Sequence, residues 1–182
     1  MFDLEGFVHD KSIRVVAARQ AQQRACDAQR DVYDSHRHRV FALAFYMTGN
    51  ELEAEQILTT TFIQAFHEAP QPQAAQVDAA LVAELRQRFP LGLMESAPDL
   101  KNIQPGSDLG GSNVRRTDLE EAIQELPPTE RFLFLLRDVE GYTPAAIAQL
   151  LDMPEAKVQR GLFSARIRLR QALAATREEQ AA

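Results

Sequence analysis

Apolar residues recur at intervals of three and four along most of this 182-residue chain, and no segment keeps the strict alternation that is typical of a β-strand. In residues 31–50 the spaced positions are Val32, His36, Val40, Leu43 and Met47. The same spacing returns in residues 51–69, 76–89 and 117–173. Side chains spaced in this way lie on one face of a helix, which must be covered by other helices. The sequence therefore predicts an all-α fold.

Residues 91–116 interrupt this pattern. They contain four of the eight glycines and two of the nine prolines, with Ser, Asn and Asp between them, which is the composition of a linker. We therefore expect two small helical domains, at 31–90 and 117–177, joined by a flexible linker at 91–116. Residues 1–30 are expected to form an N-terminal extension.

Several helix ends are marked by residues that favour them. Gly49 precedes Asn50 at the end of the first periodic segment, and a turn this short makes the flanking helices antiparallel neighbours. In the second domain, Pro127-Pro128 breaks one helix and Thr129 is expected to cap the next. Thr143 is expected to cap a helix that begins at Pro144, and Pro154 to start the last one.

Composition and motifs argue against several classes of protein. No apolar run approaches the roughly 18 residues that cross a bilayer, the first residues do not resemble a signal peptide, and Cys26 is the single cysteine, so a cytoplasmic location is expected. His36 and His38 point to different sides of a helix, which disfavours a metal site. No phosphate-binding glycine loop or nucleophile elbow is found, so neither an enzyme, nor a cofactor, nor a small-molecule substrate is expected.

Positive charge is concentrated near the end of a chain whose net charge is −6. Between Pro154 and Arg177 there are six basic residues and one acid. Residues 143–173 predict a short helix, a tight turn and a long helix, and in a helix-turn-helix the second helix lies in the major groove of DNA. The buried stripe of that helix is predicted to consist of Val158, Leu162, Ala165, Leu169 and Leu173.

The polar residues of this helix are the candidate DNA contacts. Lys157, Arg160, Ser164 and Arg168 follow each other at steps of three and four, and we expect them on the side away from the buried stripe. Lys157, Gln159 and Arg160 are residue types that read guanine or adenine. Ser164, Arg166, Arg168 and Arg170 are expected to bind phosphate or a protein. The alternative is an ordinary solvated helix face.

Two segments resemble the extracytoplasmic-function sigma factors. "LEEAIQELPPTERFLFLLRDVEGYTPAAIAQLLDMPEAKVQRGLFSARIRLRQAL" (119–173) looks like sigma region 4, a helix-turn-helix of winged-helix-like type without strands. "VYDSHRHRVFALAFYMTGNELEAEQILTTTFIQAF" (32–66) is similar to region 2. The segments occur in the order of the family.

The resemblance implies a sigma factor that directs bacterial RNA polymerase to promoters. Region 2 would dock on the polymerase clamp and open the −10 element, and region 4 would read the −35 element and touch the β flap. Polymerase core, promoter DNA and an anti-sigma factor are the implied partners. The implied clamp contacts are Glu53, Glu55, Ile57, Leu58 and Phe62, and the implied −10 contacts are Arg86 and Arg88.

The sequence also departs from the family. Gln56 and Thr60 replace acids of the clamp-binding helix, and residues 31–90 hold four basic and eight acidic residues, a net −4 that should repel DNA. Gly161, Phe163 and Ser164 stand where basic or polar residues are common. A degenerate sigma-like regulator that does not melt promoters is therefore an alternative, and so is a protein-interaction module that binds no DNA.

Overall fold

A computed structural model describes residues 4–94 and 115–181, with side chains described for residues 19–94 and 115–176. Most of the predicted linker lies outside the described residues. The helices are α1 (Leu4–Thr48), α2 (Glu51–Glu68), α3 (Ala74–Arg88), α4 (Arg116–Glu125), α5 (Pro128–Phe134), α6 (Pro144–Leu151) and α7 (Glu155–Ala181), with a π-helical turn at Leu135–Val139 after α5. No strand occurs in the ranges that the structure describes, so the all-α prediction is confirmed.

Helix α1 begins well before the periodic apolar residues of the first domain, the first of which is Val32. Its 45 residues include much of the expected N-terminal extension, so the extension and the first helix form one continuous rod of about 67 Å at 1.5 Å per residue. It ends at Gly49, whose φ of 69° suits glycine. Asn50 then caps α2, since its side chain accepts a hydrogen bond of 3.1 Å from the Glu53 N–H.

Caps also set the short helices of the second unit. Thr143 accepts a hydrogen bond of 3.1 Å from the Ala146 N–H at the start of α6, as predicted. The predicted cap at Thr129 is wrong, because the cap residue is Pro127 and Pro128 takes the first helical position. Thr129 is instead buried within α5. After α5 the Glu140 N–H bonds to the Leu135 carbonyl five residues back, at 3.0 Å, as in a π-helix.

The two helical units share one buried core. It includes Leu43 of α1, Leu81 of α3, Ile123 of α4, Leu136 of the π-turn and Leu162 of α7. Helix α1 packs against α2, α3, α4 and α5, and α3 packs against α6. The second unit is therefore packed directly on the first.

Hydrogen bonds to the last turn of α1 reinforce this packing. Arg131 donates to the Met47 carbonyl at 2.7 Å, and Gln124 donates to the Tyr46 carbonyl at 2.8 Å. Carbonyls at a helix C-terminus have no partner within their own helix, so α4 and α5 supply the missing donors. Burial lowers the pKa of the Arg131 guanidinium.

A second polar cluster joins α1 and α3 to the segment after the π-turn. Arg39 donates to the Tyr142 hydroxyl at 2.9 Å and to the buried carboxylate of Asp78, which also accepts from the Tyr142 hydroxyl. Burial, followed by the hydrogen bond to Asp78, raises the pKa of Tyr142 to about 12. Burial alone would lower the pKa of Arg39, but the hydrogen bond and charge of Asp78 raise it above its ordinary value. We call Arg39, Asp78 and Tyr142 the Tyr142 cluster.

Candidate nucleic-acid interface

Helices α6 and α7 form the predicted helix-turn-helix. Asp152 ends α6 in the left-handed conformation, with φ 48°, and the Met153 N–H bonds back to the Ala148 carbonyl at 2.9 Å. The Pro154 carbonyl accepts hydrogen bonds from Lys157 at 2.8 Å and Val158 at 3.2 Å, which starts α7. The turn between the helices is thus fixed by backbone hydrogen bonds.

One side of α7 lies in the core as predicted. Its buried residues are Val158, Leu162, Ala165, Leu169 and Leu173. These contacts, with the packing of α6 on α7, hold the second helix at a fixed angle to the first.

A second side of α7 is buried against α5, and this corrects the expected outward stripe. Ser164 is 6% exposed and donates a hydrogen bond of 3.0 Å to Glu130. Arg168 is partly buried, with its Nε 3.0 Å from the same carboxylate. The expected outward orientation is therefore wrong for Ser164 and only partly right for Arg168, because α5 occupies that side of the helix.

Gly161 belongs to the same buried side. A Cβ atom at this position would overlap Cδ1 of Leu133 on α5. The absence of a side chain therefore allows α5 and α7 to approach closely, which offsets the roughly 1 kcal/mol that glycine costs in a helix relative to alanine. The departure from the family pattern at Gly161 thus has a packing reason.

The exposed face of α7 carries a mixture of polar, basic and aromatic residues. Its residues include Glu155, Gln159, Arg160, Phe163, Arg166 and Arg170, and the Gln159 amide donates a hydrogen bond of 3.1 Å to the Glu155 carboxylate. Phe163 is 61% exposed and lies four residues after Gln159 and three before Arg166, so these side chains share one face. Arg166 pairs with Asp138 at 2.6 Å, and that hydrogen bond raises the pKa of Arg166. Phe163 was not among the candidates predicted from the sequence. Its spacing of four residues from Gln159 already indicated that it lies on the face of Gln159 and not on that of the buried Leu162.

Lys157 is half-buried beside this face. Its Nζ donates a hydrogen bond of 2.7 Å to the Gly92 carbonyl, in the segment that follows α3. The ammonium group is therefore engaged within the protein.

The candidate −10 residues lie in the last turn of α3. Arg86 donates to the Leu151 carbonyl at the end of α6 at 2.6 Å, and Arg88 pairs with Glu84 at 3.1 Å. Both side chains are exposed in part but already have protein partners. Arg86 therefore joins the end of α3 to the end of α6, next to the turn that leads into α7.

The candidate polymerase contacts on α2 fall into two groups. Glu53 and Glu55 are exposed and Leu58 is half-buried, whereas Ile57 and Phe62 are buried in the core. Ile57 and Phe62 therefore pack the first unit and do not form its surface. The exposed apolar residues of α2 are Leu52 and Ile63, each 65% exposed, and neither was among the predicted contacts.

Among residues 4–94 and 115–181, no helix combines the length and apolarity needed to cross a membrane. Within the same part of the chain, no three His, Cys, Asp or Glu side chains converge in a way that could hold a metal ion. Cys26 is exposed on α1.

Comparison with known proteins matches both the fold and the sequence. Residues 116–169 match the family sequence profile of sigma-70, region 4. The chain is 26% identical over 171 residues to the ECF RNA polymerase sigma factor SigE of Mycolicibacterium smegmatis, covering 87% of this chain and 66% of that protein. It thus spans just under two thirds of the length of that relative.

The fold is also similar to the sigma factor RpoE of Bartonella quintana, solved as a co-crystal with the anti-sigma factor NepR. The TM-score is 0.52 and the identity 16%, with 86% of this chain and 98% of that chain covered.

The all-helical fold and the helix-turn-helix are similar to those of a solved sigma factor, and residues 116–169 match the sigma-70 region 4 family. The resemblance of the chain to the extracytoplasmic-function sigma factors, first indicated by its motifs, is confirmed.

Proposed function

We propose that this protein is a sigma factor that directs bacterial RNA polymerase to promoters and carries no catalytic activity of its own. The observation that carries the proposal is the exposed face of α7, held by a capped helix-turn-helix within a sigma region 4 domain. Its partners would be the polymerase core and promoter DNA, and its place the cytoplasm. We take 31–90 and 117–177 as the region 2-like and region 4-like domains.

The residues of the α7 face suit the reading of a −35 element in the major groove. Gln159 and Arg160 have the donors that recognise adenine and guanine edges, and the Phe163 ring can contact a thymine methyl group. Arg166 and Arg170 lie further along the helix, where a guanidinium can pair with phosphate. Arg166 and Arg168 would have to exchange Asp138 and Glu130 for phosphate, and Ser164 is buried against Glu130 and does not face DNA.

The exposed face of α2 suits a docking surface for the polymerase clamp. Leu52 and Ile63 are large apolar residues exposed to solvent, with Glu53 and Glu55 on the same helix. Apolar anchors supply affinity after desolvation, and the acids steer the helix toward a basic partner. Leu58 is a half-buried residue at the edge of this surface. We propose that Ile57 and Phe62, which are buried in the core, hold α2 in place and do not contact the polymerase.

Opening of the −10 element would fall to the first unit. The first unit has a net charge of −4, and Arg86 and Arg88 are its candidate strand contacts. Both would have to exchange the Leu151 carbonyl and Glu84 for DNA phosphate. A sigma-like regulator that binds the polymerase and a −35 element without melting DNA is therefore the second candidate.

Fluorescence anisotropy with duplex DNA selected for binding tests the role of α7. Arg160→Ala and Gln159→Ala should each cost about 1–3 kcal/mol and relax the base preference at one position. Arg24→Ala, an exposed arginine on α1, is the matched control and should change neither. Equal binding by all four proteins would remove Gln159 and Arg160 from the DNA contacts, and no binding by any of them would favour the interaction module.

Run-off transcription with core polymerase then separates the two sigma-like candidates. The proposed function predicts a transcript from the selected promoter. Normal binding to core and to the −35 element without a transcript would instead support the regulator. Capture of an anti-sigma factor by a protein that binds neither DNA nor core would support the interaction module.

A further inference from the structure

Residues 90–94 leave the end of α3 and lie against the second unit. The Gly92 N–H donates a hydrogen bond of 3.0 Å to the Thr129 hydroxyl, which in turn donates to the Pro90 carbonyl at 3.3 Å. Thr129 is 2% exposed, so both bonds are shielded from water. The buried hydroxyl thus holds these residues, which we call the strap, on α5.

The strap also contacts α7 directly. The Gly92 carbonyl accepts the hydrogen bond from the Lys157 Nζ at 2.7 Å. Met94 covers Gly161, with its Cε 3.0 Å and its Sδ 3.3 Å from the position that a Cβ would take there. A side chain larger than glycine at residue 161 would therefore push against the side chains of both Leu133 and Met94.

These contacts leave α7 with two different sides. The strap covers the side of Lys157 and Gly161, whereas Gln159, Arg160 and Phe163 remain exposed to solvent. The strap therefore keeps the ammonium group of Lys157 away from DNA that binds to the exposed face of α7.

We propose that the strap is an internal mask of α7, and that full DNA binding requires its release from Thr129 and Lys157. This inference rests on the proposed function, in which α7 binds promoter DNA. In the masked form the Lys157 ammonium group donates a hydrogen bond to the Gly92 carbonyl. After release of the strap, the same group binds a DNA phosphate. The strap also connects α7 to the end of α3, so its release would loosen the second unit from the first.

Thr129→Val tests the mask because it removes the hydroxyl and keeps the shape of the side chain. Thr129→Ser, which keeps the hydroxyl, is the matched control. Duplex DNA of the selected promoter is the probe, and affinity is measured as a function of salt. The valine variant should bind several-fold more tightly, and its salt slope should steepen by about 0.9, the value for one additional phosphate contact. The double variant Thr129→Val with Lys157→Gln should lose this gain.

A second measurement reports on the strap without DNA. Lys157 is one of three lysines, so its acylation by an amine-reactive ester is read by mass spectrometry against Lys11 and Lys101. Lys157 should react several-fold faster in Thr129→Val than in the wild type or Thr129→Ser. Circular dichroism verifies folding, and Met94→Ala, which loosens the strap from Gly161, replaces the valine variant if that one unfolds.

The outcomes separate failure of the mask from failure of the proposed function. Equal labelling of Lys157 in all variants, or faster labelling with an unchanged salt slope in proteins that bind DNA, would overturn the mask alone. Faster labelling of Lys157 in proteins that bind no duplex DNA at all would overturn both the mask and the proposed function.

Discussion

Ser164 donates a hydrogen bond of 3.0 Å to the buried carboxylate of Glu130 and so joins α7 to α5. At this position the sequence predicted a contact with DNA. The bond crosses the two helices at the back of the helix-turn-helix, where it fixes the rotation of α7 about its own axis. That rotation determines which residues of α7 face outward.

Replacing Ser164 with alanine is therefore expected to affect stability and not DNA contact. Loss of a hydrogen bond to a buried charged group should lower the free energy of unfolding by about 1.5–3 kcal/mol. Urea denaturation measures the loss. Ser35→Ala, on an exposed part of α1, is the matched control and should change little. A large loss of DNA affinity in a Ser164→Ala protein that is still fully folded would contradict this assignment.

Replacing Gly161 with alanine should destabilise the protein, against the helix propensity of the two residues. Propensity alone predicts a gain of about 1 kcal/mol, but the added methyl overlaps Leu133 in a core with no room for it, which typically costs about 1–3 kcal/mol. Thermal unfolding gives the sign. In the double variant with Leu133→Ala the loss should be smaller than the sum of the two single losses. A stabilising Gly161→Ala would disprove the close approach of α5 and α7.

The Tyr142 cluster predicts a loss of stability at high pH. Burial and Asp78 raise the pKa of Tyr142 from its ordinary value of 10 to about 12, so between these values the folded protein holds a proton that the unfolded chain has lost. The contribution is fully present below pH 10 and declines as the pH rises toward 12. Urea titrations of the wild type and Tyr142→Phe across this range should converge as the pH increases. Parallel curves would show that the phenol is not coupled to folding.

Helix α2 offers two isoleucines with opposite expected roles. Ile63→Ala, at an exposed position, should weaken binding to core polymerase by about tenfold and leave stability within about 0.5 kcal/mol. Ile57→Ala, at a fully buried position, should lower the free energy of unfolding by about 2–5 kcal/mol. Core binding by size-exclusion chromatography and urea denaturation separate the two effects. Normal core binding by Ile63→Ala would remove α2 from the proposed docking surface.

Local signals predicted much of the fold. The end of α1 at Gly49, the cap at Thr143 and the buried stripe of α7 follow from residues within one or two helical turns of each other, and the structure agrees at all of them. Such signals need no knowledge of what the helix packs against.

The details of the candidate site depend on partners that are distant in sequence. Ser164 bonds to a residue 34 positions away, Lys157 to one 65 positions away, and Thr129 to one 37 positions away. Helical periodicity relates residues three or four apart, so it could show that Ser164 and Lys157 share a side but not that α5 and the strap cover it. Ile57 and Phe62 were expected at the surface for a different reason, because the resemblance implied clamp contacts there.

The π-helical turn at Leu135–Val139 gives this stretch a tolerance to the loss of one residue that the neighbouring α-helices lack. Each hydrogen bond of such a turn encloses one more residue than in an α-helix, so the extra residue is absorbed locally and the flanking residues keep their phase. Deletion of one residue between Leu135 and Val139 would return the segment to the ordinary repeat, with Tyr142 still directed toward Asp78. A deletion inside α5 would instead rotate everything after it by about 100°, because one residue is that fraction of a 3.6-residue turn. Homologous chains that share this arrangement should therefore differ in length by one residue at the π-turn more readily than within α5.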